Sequence, residues 1–175
     1  MTRCNAKQSY MLKVLRVGEA APAASLHEQD ACWNYWNEVI KQQVWFDQNK
    51  EVIVVLLFSP QLVIEGYALV SIGSLTEAIA HPREIFRAAV AAGCYGIVVM
   101  HNHPSGDPNP SDADENLTQR LHAAGEILQI PLLDHVIVGC QLVTCPTRAR
   151  MSRETARRRD IATRGYFSFA DHGLL

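Results

Sequence analysis

The sequence lacks the features of a membrane-spanning or secreted, disulfide-bonded protein. Its longest apolar run, Val52 to Phe58, is far too short to cross a bilayer. The N-terminal residues include basic side chains but no sustained apolar stretch of the kind that a signal peptide needs. The five cysteines have scattered spacing, and Cys140 and Cys145 do not have the C-x-x-C spacing of a zinc knuckle. We therefore expect a cytosolic protein with reduced thiols and no contact with membrane.

The chain also lacks a strong excess of charge of one sign. Its formal net charge is −2 at pH 7, so no overall basic field indicates nucleic-acid binding. The local exception is the arginine-rich segment, residues 148–164, where seven arginines are opposed only by Glu154 and Asp160. Guanidinium groups in such a segment could contact phosphates, but a solvated helix or a protein interface would have the same composition. Nucleic-acid binding through this segment is therefore an open alternative.

The 175 residues suit a single domain with a substantial core. We interpret residues 1–24 as a lead-in with a strand near Met11–Val17. Residues 25–175 are then the domain, with the arginine-rich segment as an insertion. The β-branched apolar run at 51–58 predicts a strand buried on both faces, and residues 62–73 predict its antiparallel neighbour.

Helix signals separate the remaining strands. Ser25 to Glu28, "SLHE", has the spacing of a capping box and predicts a helix start, followed by an apolar face at Cys32, Trp33, Trp36, Val39 and Ile40. Pro82 and Gly93 predict the two ends of a helix over 81–93. Strands are predicted at 96–100 and 131–139, with a helix between them whose apolar stripe is Leu117, Leu121, Ala124 and Leu128. This order predicts a mixed sheet with helices packed on it.

The stretch "VVMHNHPSGDPNPSDAD", residues 98–114, contains the candidate chemistry. His101 and His103 end a core strand, and since side chains alternate along a strand, both imidazoles face one side while Asn102 faces the other. Asp114 falls in the first turn of the following helix. Two imidazoles and one carboxylate, with a position left for water, are typical of a catalytic zinc site.

Hydrolysis at such a site needs further groups. Zinc lowers the pKa of a bound water to about 7, and a general base, such as a nearby glutamate, must take the proton. Ser111 could donate a hydrogen bond to the oxyanion, although Ser111 and Asp114 also have the spacing of a simple capping box. An HNH nuclease is less well supported because its histidines are not two residues apart, and a zinc deaminase would need an H-x-E motif and a P-C-x-x-C motif.

At these residues the sequence resembles a known family. Residues 101–114 fit the JAMM motif, H-x-H-x7-S-x2-D, at every fixed position. Together with "HPREIF", "LLDHVIVG" and the closing "YFSFADHGLL", they resemble the RadC branch of the JAB/MPN zinc metalloprotease superfamily over about residues 25–139 and the last ten. The resemblance implies the α/β JAB/MPN fold, a mixed sheet sandwiched by helices and related to the cytidine deaminase architecture. It also implies one Zn²⁺ per chain on His101, His103 and Asp114, with Ser111 assisting.

The resemblance further implies a general-base glutamate at the start of the first core strand after the first helix. Glu51 has that position and is favoured over Glu65, the competitor in the second strand. Glu84 fits an ordinary first helical turn, and His135 is expected either to support the ligands or to be a hydrogen-bonded core residue.

The implied activity is hydrolysis of a peptide or isopeptide bond in a peptide or protein substrate that the sequence does not identify. Two alternatives remain open. One is a RadC-like nucleic-acid-associated protein, related to DNA repair or mobile elements, and the other is a metal-binding scaffold without turnover that forms a homodimer. RadC-like proteins often carry an N-terminal helix-hairpin-helix region, for which residues 1–24 leave no room, so the DNA-related alternative has less support.

Overall fold

The structure is a computed structural model that describes residues 15–16, 25–27, 30–73, 81–139 and 164–175. Six strands and three α-helices follow one another in these residues, with a short π-helical segment, Trp36–Ile40, continuing the first helix. Their bounds are β1 Leu15–Arg16, α1 Ala31–Tyr35, β2 Val52–Phe58, β3 Ile64–Ile72, α2 Pro82–Ala92, β4 Gly96–Asn102, α3 Asp112–Leu128, β5 Leu132–Val138 and β6 Tyr166–Ser168.

The strands form one mixed sheet in the order β1-β3-β2-β4-β5-β6. Only β4 and β5 are parallel, and α3 connects them, as a parallel pair requires a crossover. The other neighbouring pairs are antiparallel. The predicted mixed sheet is therefore confirmed, including the antiparallel pairing of β2 with β3.

Helices cover both faces of the sheet. Strand β2 is buried at all seven positions, and its side chains alternate between two apolar clusters. Val52, Val54, Leu56 and Phe58 pack with α1 and the π-helical segment, whereas Ile53, Val55 and Leu57 pack with α2 and α3. The predicted α/β fold, a sheet sandwiched by helices, is confirmed.

The first helix begins later than the capping-box pattern predicts, so that prediction is wrong. Ser25 forms a β-bridge with Val63, and the Leu26 N–H donates to the Leu62 carbonyl at 2.9 Å. This backbone pairing holds residues 25–26 against residues 62–63, and no helix begins there. The helix starts instead at Ala31, after Asp30 adopts a left-handed conformation.

The second and third helices largely follow their sequence signals. Pro82 occupies the start of α2 and Gly93 ends it in the left-handed conformation, as predicted. In α3 the predicted stripe is wrong at its last member, because Leu128 is 44% exposed. Gln129 adopts a left-handed conformation there and turns the chain so that Ile130 packs against the cluster instead.

Several predictions fall outside the described residues. The strand predicted at Met11–Val17 is described only at Leu15 and Arg16, which pair with β3. The arginine-rich segment is described only at Arg164. The domain division and the insertion therefore stay predictions.

No helix in the described part of the chain is both long enough and apolar enough to cross a membrane.

Candidate metal centre

The candidate centre lies where β4 ends beside α3. His101 pairs with Ile53 of β2 and Ile137 of β5, so its side chain shares the sheet face covered by α2 and α3 and is only 1% exposed. The chain continues along β5 beyond the last strand residue, where the His103 N–H donates to the Val138 carbonyl at 2.9 Å. Both imidazoles therefore point to the same side of the sheet, as the alternation along a strand requires.

Asp114 is brought to the imidazoles by the capping box of α3. The Ser111 hydroxyl accepts from the Asp114 N–H at 3.3 Å. In return, the backbone N–H and the hydroxyl of Ser111 both donate to Asp114 Oδ2, at 2.8 and 2.6 Å. With Oδ2 engaged by two donors, Oδ1 is the oxygen that faces His101. The capping box and the carboxylate ligand proposed from the sequence are thus the same structural feature rather than alternatives.

The three side chains have the spacing of ligands around one ion. His101 Nε2 lies 3.1 Å from His103 Nε2 and 3.2 Å from Asp114 Oδ1, and His103 Nε2 lies 3.5 Å from Asp114 Oδ2. Ligands that bind zinc tetrahedrally at about 2.0–2.1 Å are about 3.3 Å from each other. The two separations from His101 Nε2 therefore fit a tetrahedral site, while His103 Nε2 approaches the other carboxylate oxygen of Asp114.

Glu51 lies next to this group of atoms, immediately before β2. Its Oε1 is 3.9 Å from His101 Nε2 and its side chain is 13% exposed. Ligand atoms of Glu51, His101 and His103 all lie within 4.8 Å of one another, so these three could also hold an ion. Two donor sets are thus available in the described residues, one with Asp114 and one with Glu51.

Glu65 is at the other end of the sheet. Its neighbour Ile64 pairs with Phe58, at the end of β2 opposite to Ile53, the partner of His101. The structure therefore brings Glu51, and not Glu65, to the candidate centre.

The hydrogen-bond partners of His103 determine which of its nitrogens carries the proton. Its Nδ1 lies 2.7 Å from the Asp107 carbonyl oxygen. A carbonyl only accepts, so Nδ1 donates, and in the neutral ring the lone pair is on Nε2.

A buried relay gives the same result for His101. The Thr118 hydroxyl donates to the Asp114 carbonyl at 2.7 Å, so its oxygen accepts from His135 Nδ1 at 2.6 Å. His135 Nε2 then accepts from His101 Nδ1 at 3.0 Å, which leaves the lone pair of His101 on Nε2. The relay works with a neutral His135, and complete burial together with the neighbouring His101 lowers the pKa of His135 well below its usual value.

These assignments describe a group of side chains that could hold a cation. Two nitrogen lone pairs face each other across 3.1 Å, with a carboxylate beside them. Burial alone would raise the pKa of the Asp114 carboxyl, but hydrogen bonds from His101 and His103, when their Nε2 atoms carry protons, and from Ser111 hold it well below its usual range. Burial lowers the pKa of His103, yet its contacts with Asp114 and the Asp107 carbonyl outweigh this, so the pKa is raised and a proton competes with a metal for Nε2. The carboxylate and the two imidazole nitrogens fit a divalent metal when both Nε2 atoms are unprotonated.

Sequence reasoning missed two residues of this site. Thr118 lies one helical turn after Asp114, so the i, i+4 spacing could have identified it. Asn102 was recognised only as facing away from the metal side. Its amide bonds to backbone groups on both sides of Glu51, a contact between residues about fifty apart that no local pattern indicates.

The "LLDHVIVG" and "YFSFADHGLL" phrases contact each other. Asp134 accepts from the backbone N–H of His135 and of Ala170, at 2.7 and 3.0 Å, and from the Ser168 hydroxyl at 2.6 Å. Phe169 stacks on the His135 ring with centroids 5.0 Å apart. The closing phrase thus packs against His135. This histidine is both a buried core residue and a neighbour of His101, the candidate ligand.

Comparison with known proteins agrees with this architecture. Residues 30–149 match the RadC-like JAB domain. The chain is 41% identical to a UPF0758 protein of Chlorobaculum tepidum over 74% of its own length and 48% of the relative. It is 37% identical to a UPF0758 protein of Thermotoga maritima over 72% of its length and 46% of the relative. It thus spans about half the length of these curated relatives. The chain belongs to the RadC-like JAB domain family, which indicates a domain of the metal-dependent hydrolase type.

Proposed function

We propose that this domain is a zinc-dependent metallohydrolase of the JAMM type that cleaves a peptide or isopeptide bond. One observation carries the proposal. His101 Nε2 lies 3.1 Å from His103 Nε2 and 3.2 Å from Asp114 Oδ1, close to the separations of a tetrahedral zinc site, with the Glu51 carboxylate 3.9 Å from His101 Nε2. Three protein ligands leave one position open, which distinguishes catalytic zinc sites from structural ones.

The residues of the chain have separate roles in this proposal. Zinc, when bound, would act as a Lewis acid that polarises the scissile carbonyl and lowers the pKa of a bound water to about 7. Glu51 takes the proton released by the attacking water and delivers it to the leaving amine. His101 and His103 present unprotonated Nε2 atoms because their Nδ1 protons are donated elsewhere. Asp114 stays anionic because the backbone N–H and the hydroxyl of Ser111 both donate to Oδ2.

Ser111 is also proposed to stabilise the oxyanion. Its hydroxyl donates to Asp114 Oδ2 at 2.6 Å, so a hydrogen bond to substrate requires the hydroxyl to exchange this partner during the reaction. The observed contacts of Ser111 support a different role, the orientation of Asp114.

The choice between the two donor sets follows from distance. Glu51 Oε1 is 3.9 Å from His101 Nε2, longer than the edge of about 3.3 Å expected between zinc ligands, whereas Asp114 Oδ1 is at 3.2 Å. We therefore assign Asp114 as the third ligand and Glu51 as the base. Asp114→Asn should weaken zinc binding by at least about tenfold, while Glu51→Gln should leave it unchanged in a chelator competition. Zinc loss in Glu51→Gln alone would reverse the assignment.

The proposed activity is tested with purified zinc-loaded protein and two fluorogenic libraries, one of linear peptides and one of ε-amino-linked isopeptides. We expect cleavage that a chelator abolishes and zinc restores. Glu51→Gln should lower turnover about 10²–10⁴-fold, the range of general acid–base catalysis, with one zinc still bound, whereas Glu65→Gln should retain full activity. A protein that binds one zinc and cleaves neither library would instead support the scaffold alternative.

The remaining predictions about partners rest on the sequence alone. Nucleic-acid binding through residues 148–164, the homodimer and the cytosolic location all stay predictions. If the arginine-rich segment contacts phosphates, binding of the full chain to DNA or RNA should weaken steeply as salt is raised.

A further inference from the structure

A buried asparagine connects the strand that carries the histidines to the backbone around Glu51. Asn102 is the last residue of β4, lies between the two candidate ligands in sequence and is 6% exposed. Its Nδ2 donates to the Lys50 carbonyl at 3.0 Å, and its Oδ1 accepts from the Val52 N–H at 3.0 Å. One side chain thus contacts the residues before and after Glu51.

The two bonded groups belong to different peptide planes. The Lys50 carbonyl lies in the plane that precedes the Glu51 Cα, and the Val52 N–H lies in the plane that follows it. Because peptide groups are planar, φ and ψ of Glu51 are the rotations that relate these planes. Holding both planes therefore sets the direction in which the Glu51 side chain leaves the backbone.

A third hydrogen bond acts on the same residue from the other neighbouring strand. The Gly73 N–H donates to the Glu51 carbonyl at 2.9 Å, in the plane that also contains the Val52 N–H. The regular pairing of β2 with β4 extends only to Ile53 and His101. Beyond that pair, the Asn102 side chain continues the connection to the β4 side and fixes the backbone at Glu51.

The chemistry of this contact requires a primary amide. It needs one donor and one acceptor on a short side chain, and an asparagine amide supplies both. Aspartate would keep the acceptor towards Val52 but place a second acceptor against the Lys50 carbonyl. Leucine would fill a similar volume with neither.

We propose that Asn102 is a positioning residue for hydrolysis, which sets the backbone of Glu51 so that the carboxylate reaches the space beside His101 Nε2. The inference rests on the proposed function, because it takes Glu51 as the general base. The residue between the two histidines then has a role of its own. The end of β4 thus carries the two imidazoles on one face of the sheet. On the other face, Asn102 positions the glutamate that acts with them.

The first test compares Asn102→Leu and Asn102→Asp with a matched control, Ser59→Ala. The Ser59 hydroxyl accepts from the Val63 N–H at 3.2 Å, just beyond the opposite end of β2. We expect Asn102→Leu to lower kcat about 10–100-fold, the scale of a 1 Å misplacement, and Asn102→Asp to lower it less. KM and zinc affinity should stay at wild-type values in both, and Ser59→Ala should leave kcat unchanged.

A double-mutant cycle separates positioning from a general loss of structure. If Asn102 acts through Glu51, Asn102→Leu should lower kcat no further in a Glu51→Gln background. A multiplicative loss in that background, or a loss of zinc affinity parallel to the loss of kcat, would overturn the proposal. If Asn102→Leu fails to fold, the same comparison is made with Asn102→Asp.

A second measurement does not require turnover. With carboxyl-labelled glutamate in the zinc-loaded full chain, NMR records the Glu51 carboxyl resonance at one fixed pH, as a report on the surroundings of that group. We expect both Asn102 variants to move this resonance and Ser59→Ala to leave it in place. An unchanged resonance overturns the role of Asn102, whereas a moved resonance in a protein that cleaves neither library upholds it and counts only against the proposed hydrolysis.

Discussion

At the residue scale, the Thr118 hydroxyl determines which nitrogen of His101 carries the proton. It acts through His135, which lies between them. Thr118 donates to a backbone carbonyl and therefore accepts from His135 Nδ1. His135 Nε2 then accepts from His101 Nδ1, so the proton of His101 is on Nδ1. If Thr118 cannot accept, His135 can adopt the other tautomer and place the His101 proton on Nε2, the atom that must bind the metal.

Replacing Thr118 with valine should therefore weaken zinc binding. The variant keeps the β-branched shape and replaces the hydroxyl with a methyl group, and we expect a 10–100-fold loss of zinc affinity, typical of changes to groups that orient metal ligands. Competition with a chromophoric chelator measures it. Gln119→Val, at an exposed position of the same helix, controls for helix propensity and should bind zinc normally. Equal affinities in the two variants would refute the relay.

A second residue-scale prediction concerns Asp134 and pH. Burial raises the pKa of its carboxyl to about 6, although hydrogen bonds from Ser168, Ala170 and His135 oppose the rise. Because the folded state binds this proton more tightly than the unfolded state, the contribution to stability is most favourable below the unfolded pKa of about 4. It is lost as pH rises to about 6.

Asp134→Asn should remove this dependence. The amide oxygen can still accept from His135 and Ala170, and the amide nitrogen can donate to the Ser168 oxygen. We expect the variant to gain on the order of 1–3 kcal/mol relative to wild type between pH 4 and pH 7, measured by urea unfolding at the two values. A constant difference between the two proteins across that range would contradict the prediction.

At the element scale, α3 is placed against the sheet by a helical glycine. A Cβ at Gly125 would lie 2.7 Å from the Ile130 carbonyl oxygen, a backbone atom that cannot move without shifting the start of β5. The glycine therefore allows the close turn from α3 into the parallel strand. The position of α3 in turn determines where Asp114 and Thr118 stand relative to β4.

Gly125→Ala should destabilise the protein by about 1–3 kcal/mol, the usual cost of overpacking, although alanine is about 1 kcal/mol better than glycine in a helix. Urea unfolding measures the change. Ala123→Gly, at an exposed site on the same helix, gives the propensity term alone and should cost about 1 kcal/mol. A stabilising Gly125→Ala would show that the turn adapts without strain.

At the scale of the whole molecule, the metal should link the centre of the sheet to α3. Its candidate ligands come from the end of β4, the loop that follows it and the first turn of α3. An ion bound only by the folded state stabilises it by an amount that grows with its concentration.

Zinc at a hundred times its Kd should therefore add about 2.7 kcal/mol, which raises Tm by about 5–10 °C for a chain of this size. Thermal unfolding with zinc and with excess chelator measures the difference. His103→Ala removes one ligand at the more exposed edge of the site and should abolish the shift. If the wild-type Tm is the same with zinc and with excess chelator, the result would argue against a metal site made by these elements.

The sequence by itself determined those features that depend on neighbouring residues. The alternation around His101 and His103, the turn of helix that carries Ser111 and Asp114, the β-branched run of β2 and the ends of α2 are local, and the structure confirms these elements. The "SLHE" prediction was wrong because Ser25 pairs with Val63, a partner that no local window contains. The predicted burial of Leu128 was wrong because Gln129 ends α3 in a left-handed turn. Only tertiary structure decided that Glu51 rather than Glu65 lies beside His101, that Thr118 and His135 orient its imidazole, and that Asn102 holds the backbone of Glu51. Each of these depends on strand register and helix placement, which residues distant in sequence set together.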